Sequence, residues 1–322
     1  MFLRYSADRR TLAWAVAMPV VALLPYLRPE LAVWLCPLSC YLALSAGVIA
    51  HNHNHTPTFR DRRFNGAFGN WLSIFYGYPT FAWVPTHNLN HHKFVNKAGD
   101  ATITWRHTNK HNALVAATYF FVSSYYQSEP IKDYIQKAKE KNPQLYRTIQ
   151  GQYALFIGVH LSLFALAIGL HGWRTGLWVW SLMFLGPALF ALWTIMFFNY
   201  VQHVHTDPWS DHDHSRSFTS PLLNFLLFNN GLHSAHHELA GAHWSTLLEL
   251  HRKLAPSIDP RLNERSFWWF CLRNYLLAPV LPSLGTKQLG RAPFDDPGQT
   301  AAVAPVTAEV DAFESGVNAA RA

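Results

Sequence analysis

Cysteine and charge are both scarce in this chain. Its 322 residues contain three cysteines and no CxxC pair, which excludes disulfide scaffolds, zinc ribbons and thioredoxin-like redox motifs. Charged residues make up 14% of the sequence, whereas ordinary soluble domains have about 25%. Half of the residues are hydrophobic. This composition excludes a disordered chain and argues against a soluble enzyme.

Several cofactor motifs are absent as well. The sequence has no GxGxxG after a strand-like segment and no HPGG, so no nicotinamide, flavin or haem domain is predicted. It also has no HExxH and no Glu-x-x-His pair, which excludes a zincin site and a carboxylate-bridged di-iron bundle. Electrons for any redox reaction are therefore expected from a separate protein.

Four long stretches contain no Asp, Glu, Lys or Arg. They are 17, 29, 26 and 32 residues long and lie at 11–27, 31–59, 148–173 and 175–206. Because a helix needs about 20 mostly apolar residues to cross a bilayer, each stretch has room for one span. The alternative is the core of a large soluble enzyme, but buried soluble helices seldom run this long without a charge. The predicted spans are 12–27, 31–50, 152–170 and 176–200.

The positive charges indicate how these spans cross the membrane. If the spans form two hairpins with turns near 28–30 and 171–175, then 24 of the 26 Lys and Arg residues lie on one side. The positive-inside rule makes that side cytoplasmic, so we expect a multi-pass protein of the bacterial inner membrane. The net charge of +7 suits an anionic lipid surface or an acidic carrier protein, and no nucleic-acid partner is expected.

Histidine, by contrast, is abundant. The chain has 19 histidines, and the clusters at 51–55, 87–92, 203–205 and 233–237 all fall on the predicted cytoplasmic side. In the first cluster, His51 and His55 share a helical face because they are four positions apart. His53 points about 200° away from His51, so it is not expected to bind the same metal.

Nine of these histidines are candidate metal ligands. Imidazole suits Zn, Cu, Fe and Ni, and one metal takes about four to six ligands. Nine imidazoles are therefore too many for one metal and suit two. The candidate ligands are His51, His55, His87, His91, His92, His203, His233, His236 and His237.

The order of the clusters carries a family resemblance. The patterns HxxxH, HxxxHH and HxxHH, placed around two apolar hairpins, resemble the integral-membrane fatty acid desaturase and hydroxylase superfamily over about residues 31–251. The NYxxH element at 199–203 is similar to a box of the membrane alkane hydroxylases. The first two boxes differ from the HxxxxH and HxxHH of the stearoyl-CoA type, which argues against an orthologue of that enzyme.

The resemblance implies an activity. It implies a non-haem centre of two irons, held by the nine histidines, with O₂ as co-substrate at the cytoplasmic membrane face. We expect a desaturase of fatty acyl chains or lipids, since the HHExxxxHW tail after the last box resembles bacterial acyl desaturases. The alternative is a hydroxylase of a lipid, an alkane or a carotenoid. The expected electron donor is a ferredoxin, a rubredoxin or a cytochrome.

Two other classes fit the sequence less well. A divalent-metal transporter would carry ionisable groups within its membrane path, and the four apolar stretches offer few besides histidines at their borders. A zinc-dependent membrane hydrolase would have no use for nine imidazoles.

The expected architecture is all-α. We predict four transmembrane helices in two hairpins and a cytoplasmic helical cap that holds the di-iron site, in a desaturase-like domain over 1–297. The segment 298–322 is rich in Ala, Val, Pro and Gly without periodicity, which predicts a disordered tail. Four residues near the boxes are expected to orient the ligand rings, with Asp207 and Glu238 favoured. These residues are Asn199, Asp207, Glu238 and Asp100.

Overall fold

A computed structural model describes residues 2–295 and 300–306 of the chain. The protein is mostly helical, with 71% helix and few strands. The α-helices of the described residues are α1 (Asp8–Leu27), α2 (Ala32–His55), α3 (Arg62–Tyr76), α4 (His92–Phe94), α5 (Ala113–Lys141), α6 (Pro143–Trp180), α7 (Gly186–His203), α8 (Pro221–Leu226), α9 (His233–Glu238), α10 (Leu247–Leu254) and α11 (Phe267–Cys271). The predicted helical class is confirmed at this level.

Shorter elements join these helices. Three segments are π-helical, namely Val84–His91, Ser181–Leu185 and Leu272–Leu277. Single 3₁₀ turns lie at Pro29–Leu31, Thr80–Ala82, Trp244–Thr246, Ala255–Ser257, Pro260–Leu262, Pro282–Leu284 and Pro293–Asp295. Two short strands, β1 (Ser217–Phe218) and β2 (Asn263–Glu264), pair in parallel with Ser217 opposite Asn263.

The chain divides into two compact units. Of the described residues, the first unit contains 2–83 and 135–195, and the second contains 84–134, 196–295 and 300–306. The first unit therefore includes the helices α1, α2, α3 and α6. The second unit includes three of the four histidine clusters.

Three helical stretches of the described chain are long and apolar enough to cross a membrane. They are Asp8–Leu27, Pro29–His55 and Pro143–His203. The first two contain the predicted spans 12–27 and 31–50. The third is 61 residues long and contains both of the others, 152–170 and 176–200. Length and composition thus support a membrane protein, while the arrangement in two hairpins stays a prediction.

The third stretch is interrupted at Gly172. Its backbone is left-handed there, with φ at 73°, inside α6. A Cβ placed on Gly176 would lie 2.6 Å from the carbonyl oxygen of Ala167. Residues nine positions apart in a straight helix are separated by about 13 Å, so the chain must fold back between them. Glycine is required at position 176 because the two backbones approach too closely for any side chain.

Small and aromatic side chains pack the core of the first unit. Its main buried cluster consists of Ala22, Tyr26, Ala32, Ala167, Val179, Met183 and Phe184. Two hydrogen bonds tie α6 to α1 beside this cluster. Tyr26 donates its hydroxyl to the carbonyl of Leu163 at 3.1 Å, and His171 donates from Nε2 to the carbonyl of Tyr26 at 2.9 Å. Such bonds satisfy polar groups that would otherwise lie unpaired among apolar side chains.

A buried arginine holds the end of α7 in the second unit. Arg216 is 1% exposed, and its Nη1 donates to the carbonyls of Val201 at 2.5 Å and Val204 at 3.1 Å. The last carbonyls of a helix have no partner within the helix. A cation there satisfies them and complements the helix dipole. The guanidinium therefore fixes the helix end that carries His203.

The predicted disordered tail, 298–322, lies mostly outside the described residues. Its described part, 300–306, packs in the second unit, where Val303 forms a parallel bridge with Gly99. The backbone N–H of Val306 also donates to the Asp133 carboxylate at 2.7 Å.

Candidate metal centre

The first histidine cluster forms the last turn of α2. His51 and His55 lie on one face there, with ring centroids 4.9 Å apart. His53 points elsewhere, as predicted, and both of its ring nitrogens have partners. Its Nε2 donates to the carbonyl of Asn65 at 3.1 Å, and its Nδ1 accepts from the Thr58 hydroxyl at 2.9 Å. No lone pair of His53 is left for a metal.

The second cluster lies on a π-helical segment, Val84–His91, that continues into α4. A π-helix closes its hydrogen bonds between residues five apart, so residues at that spacing come roughly into line. His87 and His92 have this spacing, and their Nε2 atoms are 3.0 Å apart. The intervening His91 is directed into a different group of histidines. The π-helical geometry therefore divides the HxxxHH box between two groups.

Four histidines of the second unit form the first group. His91, His203, His233 and His237 each offer one ring nitrogen, and these nitrogens all lie within 4.8 Å of one another. The Nε2 atom of His233 is 2.9 Å from that of His203 and 3.1 Å from that of His237. All of these rings are buried except His237, which is half-buried. We call this set the four-histidine group.

Three further histidines form a triangle in the same unit. The Nε2 atom of His92 is 3.0 Å from those of His87 and His236, and the remaining side of the triangle is 3.3 Å. We call this set the three-histidine group.

The spacing of these nitrogens fits metal ions. A metal binds imidazole nitrogen at about 2.0–2.1 Å, which places neighbouring ligand nitrogens about 3 Å apart. The Nε2 atom of His91 is buried and has no hydrogen-bond partner among the described residues. Leaving a buried polar atom unpaired costs about 1–3 kcal/mol, and a shared cation removes that cost. The donor set, entirely imidazole, suits iron, zinc, copper or nickel.

Burial keeps the His237 imidazole in the form that binds metals. It lowers the pKa of His237 well below its usual range, and His233 beside it lowers the pKa further. The ring is therefore neutral at physiological pH, and its lone pair is available to a cation.

A buried carboxylate orients His91. Asp100 is 0% exposed, and its Oδ2 accepts from Nδ1 of His91 at 2.9 Å and from the backbone N–H of Asn96 at 2.8 Å. Its Oδ1 accepts from the backbone N–H of Thr102 at 2.6 Å and from the hydroxyl of that residue at 2.7 Å. The carboxylate thus holds the proton of His91 on Nδ1, which leaves the Nε2 lone pair directed at the four-histidine group.

The same contacts keep Asp100 ionised. Burial alone raises the pKa of this carboxyl, but the electrostatic attraction and hydrogen bond from the ring N–H of His91, followed by the bonds from Thr102 and Asn96, outweigh burial and lower the pKa to about 2. At neutral pH the group is therefore a carboxylate and accepts all four bonds.

His203 is held by different means. Its Nδ1 donates to the backbone carbonyl of His214 at 3.2 Å. Its own carbonyl accepts from the side-chain amide of Asn96 at 3.1 Å. Asn96 thereby links the loop that carries Asp100 to the end of α7. No sequence motif marks His214, Arg216 or Asn96 for these roles.

The described hydrogen bonds of the other residues predicted to orient ligands do not involve these rings. The Asp207 carboxylate accepts from the backbone N–H groups of Trp209 and Arg291, each at 3.0 Å. The Asn199 amide donates to the hydroxyl of Tyr119 at 3.0 Å. Glu238 is exposed at the end of α9. Of the three acids, Asp100 is the one whose carboxylate bonds a candidate ligand in the described contacts.

A family comparison identifies this arrangement. The family model described as fatty acid desaturase matches residues 29–269, which is most of the chain. The chain belongs to the fatty acid desaturase family. The matched region of this desaturase-family protein contains all four histidine clusters, so the resemblance predicted from the boxes is confirmed. No curated protein and no solved structure matches the chain.

Membership of the desaturase family defines the class of the site. The family and the histidine-rich clusters together fit a di-iron desaturase or hydroxylase, that is, an oxidoreductase. The family also implies a lipid substrate and a membrane context, which agrees with the apolar helices.

Proposed function

We propose that this protein is an O₂-dependent, non-haem di-iron desaturase that introduces a double bond into a fatty acyl chain or lipid. Electrons come from a separate protein of the ferredoxin, rubredoxin or cytochrome type. The observation that carries the proposal is the pair of buried imidazole groups in the second unit, with neighbouring nitrogens about 3 Å apart.

The proposed ligand assignment follows these groups. The four-histidine group holds one iron, and His87, His92 and His236 bind the other. The family resemblance implies that His51 and His55 also belong to the ligand set of the di-iron centre. When bound, two irons in such a site supply an oxidant derived from O₂ that removes hydrogen from unactivated C–H bonds.

The chain's own residues prepare the site for this chemistry. Neutral imidazoles leave the positive charge of the metals uncompensated, which favours a strong oxidant. Asp100 supplies one negative charge behind His91, where it fixes the ring and does not occupy a ligand position. Burial of the rings excludes water, which strengthens each electrostatic interaction inside the site.

We propose desaturation in preference to hydroxylation because the segment after the last box resembles the corresponding segment of bacterial acyl desaturases. In the HHExxxxHW tail, Trp244 is buried and its ring stacks edge-on against Phe228 at a centroid distance of 5.4 Å. The Nδ1 atom of His243 accepts from the backbone N–H of Ser245 at 3.3 Å, which fixes the ring against its own turn. The NYxxH element favours the hydroxylase alternative.

Lipid analysis tests the reaction. Expression in a host that lacks the enzyme is expected to yield an acyl product lighter than its parent by two hydrogen atoms. The matched control is the His236→Ala variant at equal expression, which should yield no new product. A product heavier by one oxygen atom, with that atom derived from isotopically labelled O₂, would instead establish a hydroxylase.

Metal analysis of the purified protein separates the remaining classes. Two irons per chain support the di-iron proposal. One zinc per chain supports a membrane hydrolase, and weakly held, exchangeable metal supports a transporter.

We further propose that the protein crosses the bacterial inner membrane four times, with the site facing the cytoplasm. Accessible cysteines test this in a background without Cys36, Cys40 and Cys271. Thr175→Cys, at the exposed second turn, is expected to react with an impermeant maleimide in intact cells. Lys110→Cys, in the loop with the boxes, should react only after permeabilisation. External labelling at position 110 contradicts the topology and the cytoplasmic site together.

A further inference from the structure

A short helix near the end of the described chain exposes an apolar stripe. The helix starts as α11 at Phe267 and continues as the π-helical segment to Leu277. Trp268 is 74% exposed and Leu276 is 67% exposed, with Leu272 between them at the same four-residue spacing. Trp269 is exposed beside this stripe. The solvent-exposed face of a helix in a soluble protein is normally polar.

The opposite face of this helix fixes its orientation. Phe267 and Phe270 are buried, and the ring of Phe270 meets that of Phe218 at 5.4 Å. Asn274 is buried as well. Its side-chain oxygen accepts from the backbone N–H of Thr286 at 2.8 Å, which holds the returning chain against the helix. The apolar stripe therefore cannot turn inward without breaking this packing.

The helix is too short to cross a membrane. Eleven helical residues extend over about 16 Å, whereas the hydrocarbon core of a bilayer is about 30 Å thick. Pro279 and Pro282 prevent continuation of the helix. Between them, Val280 is 79% exposed and Leu281 is also exposed, so the turn adds further apolar surface.

The stretch of chain that contains the stripe carries charges of one sign. From Arg265 to Phe294 the chain has no Asp or Glu, and its cations are Arg265, Arg273, Lys287 and Arg291. Arg273 forms an ion pair with Glu264. Arg265 and Lys287 are exposed and flank the stripe in sequence. Exposed Trp and Leu side chains flanked by cations are the pattern of helices that lie in the interface of anionic membranes.

We propose that the segment 265–287, here named the anchor segment, lies on an anionic lipid surface with Trp268, Leu272 and Leu276 inserted at the headgroup level. Most of the segment lies beyond the region that matches the desaturase family. The proposal is independent of the metal site and of the reaction. It adds a peripheral membrane contact to the spanning helices.

Spin-label accessibility in the full-length protein tests the anchor segment. In the background without native cysteines, Leu276→Cys and the control Asp211→Cys are labelled and reconstituted into phosphatidylglycerol–phosphatidylethanolamine vesicles. Asp211 is exposed in a loop that also contains Asp207 and Asp213. We expect the label at position 276 to collide more with O₂ than with a water-soluble nickel chelate. The label at position 211 should show the reverse.

A charge-reduced variant sharpens the test. Replacing Arg265 and Lys287 with glutamine is expected to lower the ratio of inserted to free label at position 276 by about fivefold per cation in these vesicles. The ratio should not change in vesicles of phosphatidylcholine alone. Equal access of the nickel chelate to positions 276 and 211 overturns the proposal. Protection of position 276 that appears only after an acidic ferredoxin is added also overturns it, since a protein would then cover the segment.

Discussion

Replacing His91 or His236 with alanine is expected to abolish activity and to lower iron content from two per chain to one or fewer. His91 belongs to the four-histidine group, and His236 belongs to the three-histidine group. Each substitution removes one metal ligand, and the imidazoles that remain in that group no longer complete the coordination of the metal. The protein is still expected in the membrane fraction, because neither residue lies within a predicted span. Iron is measured on purified protein together with product formation.

His53→Ala is the matched control for these variants. His53 is also a buried histidine and lies within the first box, but both of its ring nitrogens are bonded within the fold. Its loss leaves the Asn65 carbonyl and the Thr58 hydroxyl without this partner, which costs about 1–3 kcal/mol of stability. We expect a lower melting temperature with iron content retained. Loss of iron at an unchanged melting temperature would show that the ligand set is wrong.

Asp100→Asn is expected to lower iron affinity and kcat by about 10–100-fold, the usual cost of losing a carboxylate behind a ligating histidine. The substitution keeps the shape of the side chain but replaces one carboxylate oxygen with a donor. That donor then faces either the ring N–H of His91 or the N–H and hydroxyl of Thr102. The measurements are iron titration of the apo-protein and turnover of the loaded protein.

Asp207→Asn provides the control for this prediction. Asp207 also accepts backbone N–H bonds, but those of Trp209 and Arg291. We expect iron affinity within a factor of about two of the unaltered protein, since substitutions away from a critical contact usually change free energies by no more than about 0.5 kcal/mol. Equal losses in the two variants would mean that Asp100 acts only through the fold.

Much of the fold and the candidate site follows from sequence because both depend on local spacing. Apolar stretches such as 175–206 define helices by length alone, and residues such as His51 and His55 share a face wherever α-helical geometry holds. The confirmed family resemblance rests on the same short spacings. The ligands of one metal must point to the same place. Residues one helical turn apart do so because they share a face of the helix.

The role of Asp100 depends on geometry that short spacing does not encode. Asp100 reaches His91 from nine positions along the chain, after a turn in which Val95 and Asn96 both adopt left-handed backbone conformations. Such conformations are uncommon outside glycine, and no pattern in the sequence predicts them. Asp207 and Glu238 lie beside the third and fourth boxes in sequence, so sequence distance alone favours them as the residues that orient ligand rings. The contacts of Arg216 with the end of α7 cannot be predicted from the sequence either, because they join a side chain to backbone carbonyls more than ten residues away.

The π-helical segment also sets how accurately the two imidazole groups are spaced. His91 and His92 are consecutive residues, yet one belongs to the four-histidine group and the other to the three-histidine group. Their Cα atoms are separated by one trans peptide unit, about 3.8 Å, a length that thermal motion hardly alters. When two helices slide past one another, the distance between side chains on the two helices changes by ångströms. Here one rigid peptide unit connects the backbones of His91 and His92, so part of the separation between the two groups does not depend on how well the helices pack.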